Sequence, residues 1–239
     1  MILFGINFNI YYLLLLKKIK AIWKNEEVRT YLGVILGATA LITANLVKTY
    51  GTVLKAFRYA VFQVASIITT TGFATADFDQ WPEFSKYILL ALMVIGACAG
   101  STGGGMKVAR IIILLKSVKR EMKRLLHPKS VNLVKISGKK IKEETLQGVY
   151  VYFIAYVAIF IVSLLLISFN DFDFVTNFSG VLTTMNNVGP GLQKIGPMYN
   201  FSEFSAFSKV VFAFDMLIGR LEIFPFMMLF SPNLWRKKF

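Results

Sequence analysis

The chain has 239 residues, 56% of them hydrophobic and only 17% charged, with a mean hydropathy of +0.60. Soluble domains carry about a quarter charged residues and disordered segments carry little apolar content, so the composition excludes disorder and argues against a soluble globular enzyme. A net charge of +14 leaves nucleic acid or a membrane surface as partners, while a single Cys (Cys98) and a single His (His127) leave no disulfide framework and no zinc site.

Residues 1–16 are apolar, and a Lys cluster follows them instead of preceding them, which reads as the tail of a membrane helix and not as a secretory signal. Residues 17–29 hold Lys17, Lys18, Lys20, Lys24 and Arg29 and form a linker closing a first segment, 1–29. Uncharged or nearly uncharged runs follow at 30–47, 87–106, 145–170 and 210–235, the last broken only by Asp215, Arg220 and Glu222. About 20 apolar residues cross a bilayer as a helix, so four spans are predicted. Basic residues gather at 17–29, from Lys116 through Lys142, and at Arg236, Lys237 and Lys238. Strict alternation puts these on one side, the cytoplasmic side by the positive-inside rule. Asp77, Asp79, Glu83, Asp171, Asp173 and Glu203 fall on the other side, as solvated loop residues or as a cation-concentrating mouth. Charge therefore tracks topology: membrane lipids are expected partners and nucleic acid is not. Val131 to Ile141, with Ser137-Gly138 at the turn, predicts a short hairpin within a cytoplasmic connector, 128–144. Trp23, Trp81 and Trp235 lie at predicted span ends, as interfacial anchors do.

Between the spans lie 57–76 (FRYAVFQVASIITTTGFATA) and 174–191 (FVTNFSGVLTTMNNVGPG), too polar for lipid and too apolar for free loops. At an offset of 117 residues Phe57 falls on Phe174, Val64 on Val181 and Gly72 on Gly189; at 120, Glu83-Phe84-Ser85 falls on Glu203-Phe204-Ser205. The repeat unit is helix, re-entrant segment, helix, giving two repeats at 30–127 and 145–239, with the second helix of the first broken at 98–106. A helix over 57–68 spans half a membrane, roughly 18 Å, and the return requires extended backbone at membrane depth. Unpaired carbonyls there are tolerated only where they line a water-filled cavity or bind something. Thr69-Thr70-Thr71-Gly72 and Asn186-Asn187-Val188-Gly189-Pro190-Gly191 fit that task, because stacked carbonyl oxygens replace the hydration shell of a small monovalent cation.

Gly100-Ser101-Thr102-Gly103-Gly104-Gly105 lies inside an apolar span, where such a run melts a helix. It is not a phosphate-binding loop, since Met106 stands where Lys is required and Val108 follows Lys107. Close helix packing through small residues and a flexible loop obstructing the pore beneath the filter are the two readings. Arg220, at the 120-residue offset from Gly100, sits at similar depth and either faces the pore and holds that loop or snorkels to the headgroups. Glu222 lies on another helical face from Arg220, and Asp215 is a candidate partner for the filter base or for Lys209. Lys107, Arg110 and the cations after Lys116 read mainly as solvated or lipid-facing. Cys98 and His127 read as structural. No paired carboxylates, His/Asp cluster or nucleophile motif lies at membrane depth, so no enzyme is expected.

Ile68-Thr69-Thr70-Thr71-Gly72-Phe73, Ala99 through Lys107, Gly219-Arg220-Leu221-Glu222 and Phe4-Gly5-Ile6-Asn7-Phe8 together resemble the superfamily of potassium transporters that includes Trk, Ktr and the plant high-affinity potassium transporters. The resemblance is to the bacterial TrkH type and covers essentially the whole chain. It implies an all-α membrane protein of the bacterial inner membrane, multi-pass, built of two helix–pore-loop–helix repeats after the end of a preceding one. Family members carry four repeats, so this chain resembles a C-terminal half. The implied function is potassium uptake, with potassium as the transported ion and no organic cofactor. Carbonyls of Thr70, Thr71 and Gly72 and of Asn187, Val188 and Gly189 would coordinate it. Gly100, Gly103, Gly104, Gly105 and Arg220 would form the gate. Implied partners are a complementary N-terminal half or another copy, a homodimer of complete protomers, and a cytosolic nucleotide-binding TrkA-type regulatory subunit docking near 116–147. The alternative is a truncated, non-conducting subunit that assembles with or regulates a pore made by other chains.

Overall fold

The computed structural model describes residues 1–128 and 132–230. Val131, Trp235, Arg236, Lys237 and Lys238 lie outside the described residues, so the expectations placed on them stay there. A 3-10 turn, Ile2–Gly5, leads into two short helices, α1 (Phe8–Leu15) and α2 (Ile19–Lys24). The first repeat comprises α3 (Glu26–Tyr50), α4 (Val53–Ile68), α5 (Glu83–Ile95) and α6 (Val108–Leu126). A hairpin of β1 (Lys135–Ile136) and β2 (Lys139–Lys140), in register Lys135 with Lys140, turns at Ser137-Gly138 as its sequence predicted. The second repeat comprises α7 (Glu143–Ile167), α8 (Phe174–Met185), α9 (Ala206–Leu221) and α10 (Ile223–Leu229).

Local chemistry sets these boundaries. Asn25 caps α3, its side chain accepting from the Val28 amide at 3.2 Å, with Glu26 and Glu27 in the first turn where the helix dipole favours them. Gly51, in the left-handed region at φ 73°, ends it. Asp173 caps α8 by accepting from the Thr176 amide at 2.9 Å, and Ser205 caps α9 by accepting from the Ser208 amide at 3.2 Å.

Among the described residues two helices are long and apolar enough to cross a membrane, α3 and the run Glu143–Asn170. The other two expected spans are broken. Residues 87–106 do not form one helix: α5 stops at Ile95, because Gly96 takes φ 67° and ψ −161°, and irregular backbone runs to Lys107. The run 210–235 is also interrupted, at Glu222, whose φ of 63° separates α9 from α10. The first re-entrant helix begins at Val53, four residues before the expected Phe57, whereas α8 starts at Phe174 as expected.

The larger core draws on both repeats, with Leu182, Val188 and Leu192 of the second entering it, and a smaller one belongs to the second repeat alone. In the larger, Tyr31, Ile42 and Leu46 of α3 pack on Val64, Ile67 and Ile68 of α4 and on Leu89 and Met93 of α5. In the smaller, Ile167, Val181, Ile195, Phe204, Val211 and Phe212 meet, with Phe204 and Phe212 edge to face at 5.1 Å. A third cluster, Met106, Tyr152, Tyr156, Met185 and Ile223, also joins the two repeats.

Candidate functional site

Both re-entrant helices end in the same way. After α4 the amides of Thr69, Thr70 and Thr71 donate to the carbonyls of Ala65, Ile67 and Ser66 at 3.2, 3.0 and 2.9 Å. After α8 the amides of Asn186, Asn187 and Val188 donate to Leu182, Thr184 and Thr183 at 3.2, 3.0 and 2.9 Å. Every donor and acceptor is related by the offset read from the sequence. The side chains repeat the pattern: Ser66 Oγ donates to the Phe73 carbonyl at 2.5 Å, and Thr183 Oγ1 to the Pro190 carbonyl at 3.1 Å.

The backbone angles agree as well. Thr69 has φ −88° and ψ 1°, and Asn186 has φ −97° and ψ 0°. The next residues turn positive, Thr70 at 53° and Asn187 at 55°; Thr71 and Val188 do not, and Gly72 and Gly189 are positive again at 80° and 114°. Positive φ at Thr70 and Asn187 is uncommon for residues with a side chain, and both helix-end hydrogen bonds enforce it.

The two segments face each other. A side chain at Gly72 would run into the Val188 carbonyl oxygen, so the backbones approach closely there. Around Gly189 the corresponding position is open. Asn186 is buried and held by Tyr156 of α7, its Nδ2 donating to the phenol oxygen at 2.9 Å. Asn187 Nδ2 donates to the Met216 carbonyl of α9 at 3.1 Å, and Gly219 leaves no room for a side chain against the Met185 carbonyl.

Residues 96–107 close beneath these turns. The Gly104 amide donates to Thr70 Oγ1 at 2.7 Å, and a side chain on Gly104 would strike the Asn186 carbonyl. A Cβ on Gly103 would lie 2.6 Å from that of Ala97 and 3.3 Å from the Thr69 carbonyl. Two consecutive loop carbonyls are each gripped by a cation: Thr102 accepts from Arg220 Nη1 at 3.0 Å, and Gly103 accepts from Lys107 Nζ. The N-terminal segment ties down the rim. The Cys98 amide donates to the Gly5 carbonyl at 3.0 Å, and the Phe8 amide to that of Gly100 at 3.1 Å. Gly100 adopts φ 69° against the Asn7 side chain, Gly105 φ 78° against Gly96, and Glu27 accepts from the Ala99 amide at 2.5 Å. The structure thus brings Thr70, Thr71 and Gly72 together with Asn187, Val188 and Gly189 and sets Gly103 and Gly104 against both turns, with Arg220 reaching the loop from α9; Gly100 and Gly105 pack instead on Asn7 and on Gly96.

A model of the TrkH family, described as cation transport protein, matches residues 1–237. The chain belongs to that family. TrkH potassium uptake proteins of Salmonella typhimurium and Escherichia coli K12 are 39% identical to it over 236 residues. Those matches cover 98% of this chain and 48% of each relative, so the chain spans about half the length of the curated relatives it matches. A crystal structure of the potassium transporter TrkH from Vibrio parahaemolyticus superposes with a TM-score of 0.89 at 36% identity, covering 98% of this chain and 51% of that one. The all-α membrane fold expected from the sequence is therefore that of TrkH proteins.

Within this TrkH-type framework several assignments change. Asp215 meets neither the filter base nor Lys209: it is buried, accepts from Ser163 Oγ at 2.6 Å, and Lys209 instead donates to the Ser202 carbonyl at 2.9 Å. Packing of α9 on α7 makes Ser163 the donor that reaches it. Arg110 is not a lipid-facing cation. It pairs with Glu222 at 2.7 Å and lies 4.0 Å over the Tyr152 ring. Lys107, Glu27 and Tyr156 were missed as well. The signal for Arg110 and Glu222 was present, since two opposite charges inside apolar sequence each need a partner. Nothing local identified Glu27 or Tyr156, whose contacts span 72 and 30 residues.

Proposed function

We propose that this chain supplies two of the pore-lining repeats of a potassium uptake protein. The matched geometry of the two filter segments carries the reading: the same hydrogen bonds, the same alternation in the sign of φ, and mutual contact at Gly72 and Val188. Alternating signs of φ turn successive carbonyls toward one side of an extended segment instead of alternate sides. The carbonyls of Thr70, Thr71, Gly72, Asn187, Val188 and Gly189 then present a row of oxygens that substitutes for the water around a potassium ion. The printed names of the TrkH relatives support that ion.

The loop at 96–107 is the gate in this proposal. It blocks the path directly beneath the filter, and its glycines allow contact with filter backbone that any side chain would prevent. Arg220 and Lys107 hold it by its carbonyls and place positive charge on the ion path, a barrier to cations until both release. The protein lies in the bacterial inner membrane with the basic C-terminal part of α6 and the hairpin on the cytoplasmic side, by the distribution of Lys and Arg. Two further repeats, from a complementary chain or another copy, close the pore; complete protomers pair, and a nucleotide-binding regulatory subunit docks on the cytoplasmic side.

Rubidium uptake into a potassium-uptake-deficient cell tests this, first with the chain alone and then with an upstream half supplying two repeats. Saturable uptake in the combination, lost on Gly72→Ala, is the expected result. Association of the two chains without uptake would favour a non-conducting, assembling subunit.

A further inference from the structure

We propose that the groove between α6 and the β1–β2 hairpin binds the phosphodiester headgroup of an anionic phospholipid. Lys116, Lys119, Arg120 and Lys123 recur at the spacing that stacks side chains on one helix face. With Lys135 of β1 and the buried Val134 they line a groove of about 260 Å³. Its walls are fixed. Val134 packs with Ile113, Leu146 and Val149, and the hairpin is tied to α3 by reciprocal bonds: the Glu26 amide donates to Ser137 Oγ at 3.0 Å, and the Ser137 amide to Glu26 Oε2 at 3.2 Å.

Charge in the groove is unbalanced. Lys116 is taken by Glu26 at 2.5 Å, and Arg120 by Glu143 at 2.9 Å and Glu121 at 3.5 Å. Lys119, Lys123 and Lys135 make no ion pair among the described residues, so the groove presents uncompensated cations around a space wide enough for a phosphate. What distinguishes a lipid from a free anion lies on the neighbouring face. Leu115, Val118, Met122, Leu125 and Leu126 are exposed, by 60 to 82%, roughly a third of a turn around the same helix. An apolar stripe beside a basic groove matches a phospholipid at its interface, hydrocarbon against one face and phosphate against the other. Free phosphate would use only the groove. The inference shares the membrane placement of the proposed function but needs neither a conducting pore nor a working gate.

The test uses the full 239-residue chain in neutral detergent, titrated with phosphatidylglycerol, with phosphatidylcholine of the same chains, and with inorganic phosphate. Thermal unfolding and lipid retention in native mass spectrometry are read. Phosphatidylglycerol should bind and raise the midpoint, and phosphatidylcholine and phosphate should not. The double variant Lys119→Gln/Lys123→Gln should weaken phosphatidylglycerol about thirtyfold, and Lys119→Arg/Lys123→Arg should restore it. Both positions are exposed, so both variants fold. Equal responses to the two lipids, a full response to phosphate alone, or an unchanged response in the Gln variant would overturn the proposal. So would binding of polyglutamate that phosphatidylglycerol fails to displace, since that identifies an acidic protein as the occupant. No ion flux enters the measurement, so its failure leaves the pore reading intact, and failed uptake leaves lipid binding measurable.

Discussion

Gly72 and Gly189 occupy equivalent places in the two proposed filter segments but carry different steric loads. At Gly72 an added methyl meets the Val188 carbonyl as well as an unfavourable φ of 80°, whereas at Gly189 only the dihedral is penalised. A left-handed conformation costs a residue with a side chain about 1–2 kcal/mol, and overlap with backbone cannot be relieved by a rotamer change. Gly72→Ala should therefore reduce rubidium uptake at least about tenfold more than Gly189→Ala in a completed pore. The hydroxyls of Ser66 and Thr183 make the same bond to the strand that returns from the filter. Ser66→Ala should cost about 1 kcal/mol of stability by thermal or denaturant unfolding and Thr183→Val about 2 kcal/mol, because Thr183 Oγ1 also accepts from the Gly189 amide at 2.9 Å. Arg220→Ala removes one of the two cationic grips on the loop. Basal cation flux should rise, and Arg220→Ala/Lys107→Ala should raise it further; unchanged flux in both would remove these cations from the gate.

The helices are divided where charge or glycine forces it. Gly96, Gly100 and Gly105 all hold positive φ in the stretch between α5 and α6, and any one of them would interrupt a regular helix. The second break has another cause. Glu222 leaves the helical path and reaches Arg110, which is itself stacked on Tyr152, so one ion pair links the lower half of one broken helix to the kink of the other. Arg110 also donates to the Met106 carbonyl at 3.4 Å, at the end of the loop that Arg220 and Lys107 hold, and movement of α6 relative to α9 must strain the pair. A double-mutant cycle with Arg110→Gln and Glu222→Gln should give a coupling of about 1 kcal/mol in unfolding, as expected for a partly exposed pair. Loss of the pair should also shift basal flux in the direction of Arg220→Ala. Additive unfolding energies would show that the contact links nothing.

At the scale of the molecule, the two repeats meet through Met106, Tyr152, Tyr156, Met185 and Ile223, and again where Leu182, Val188 and Leu192 enter the core of the first repeat. Tyr156→Phe removes the donor and acceptor that hold Asn186. It should destabilise the chain by about 1–2 kcal/mol in thermal unfolding and lower the selectivity of a completed pore for potassium over sodium in competition uptake. Hydropathy, the positions of Lys and Arg and the offset between repeats were enough to read an all-α membrane fold with paired re-entrant segments, because these depend on solvent and on local conformation. The positive-φ turns at Gly72 and Gly189 and the helix break at the glycine run were legible for the same reason: backbone freedom is a property of the residue itself. Partner choice was not legible. Arg110 with Glu222, Asp215 with Ser163, Glu27 with Ala99 and Tyr156 with Asn186 join residues distant in the chain, and each buried polar atom takes the nearest donor or acceptor that packing brings to it. Only the tertiary arrangement could decide those pairings, and with them where the fourth apolar run breaks.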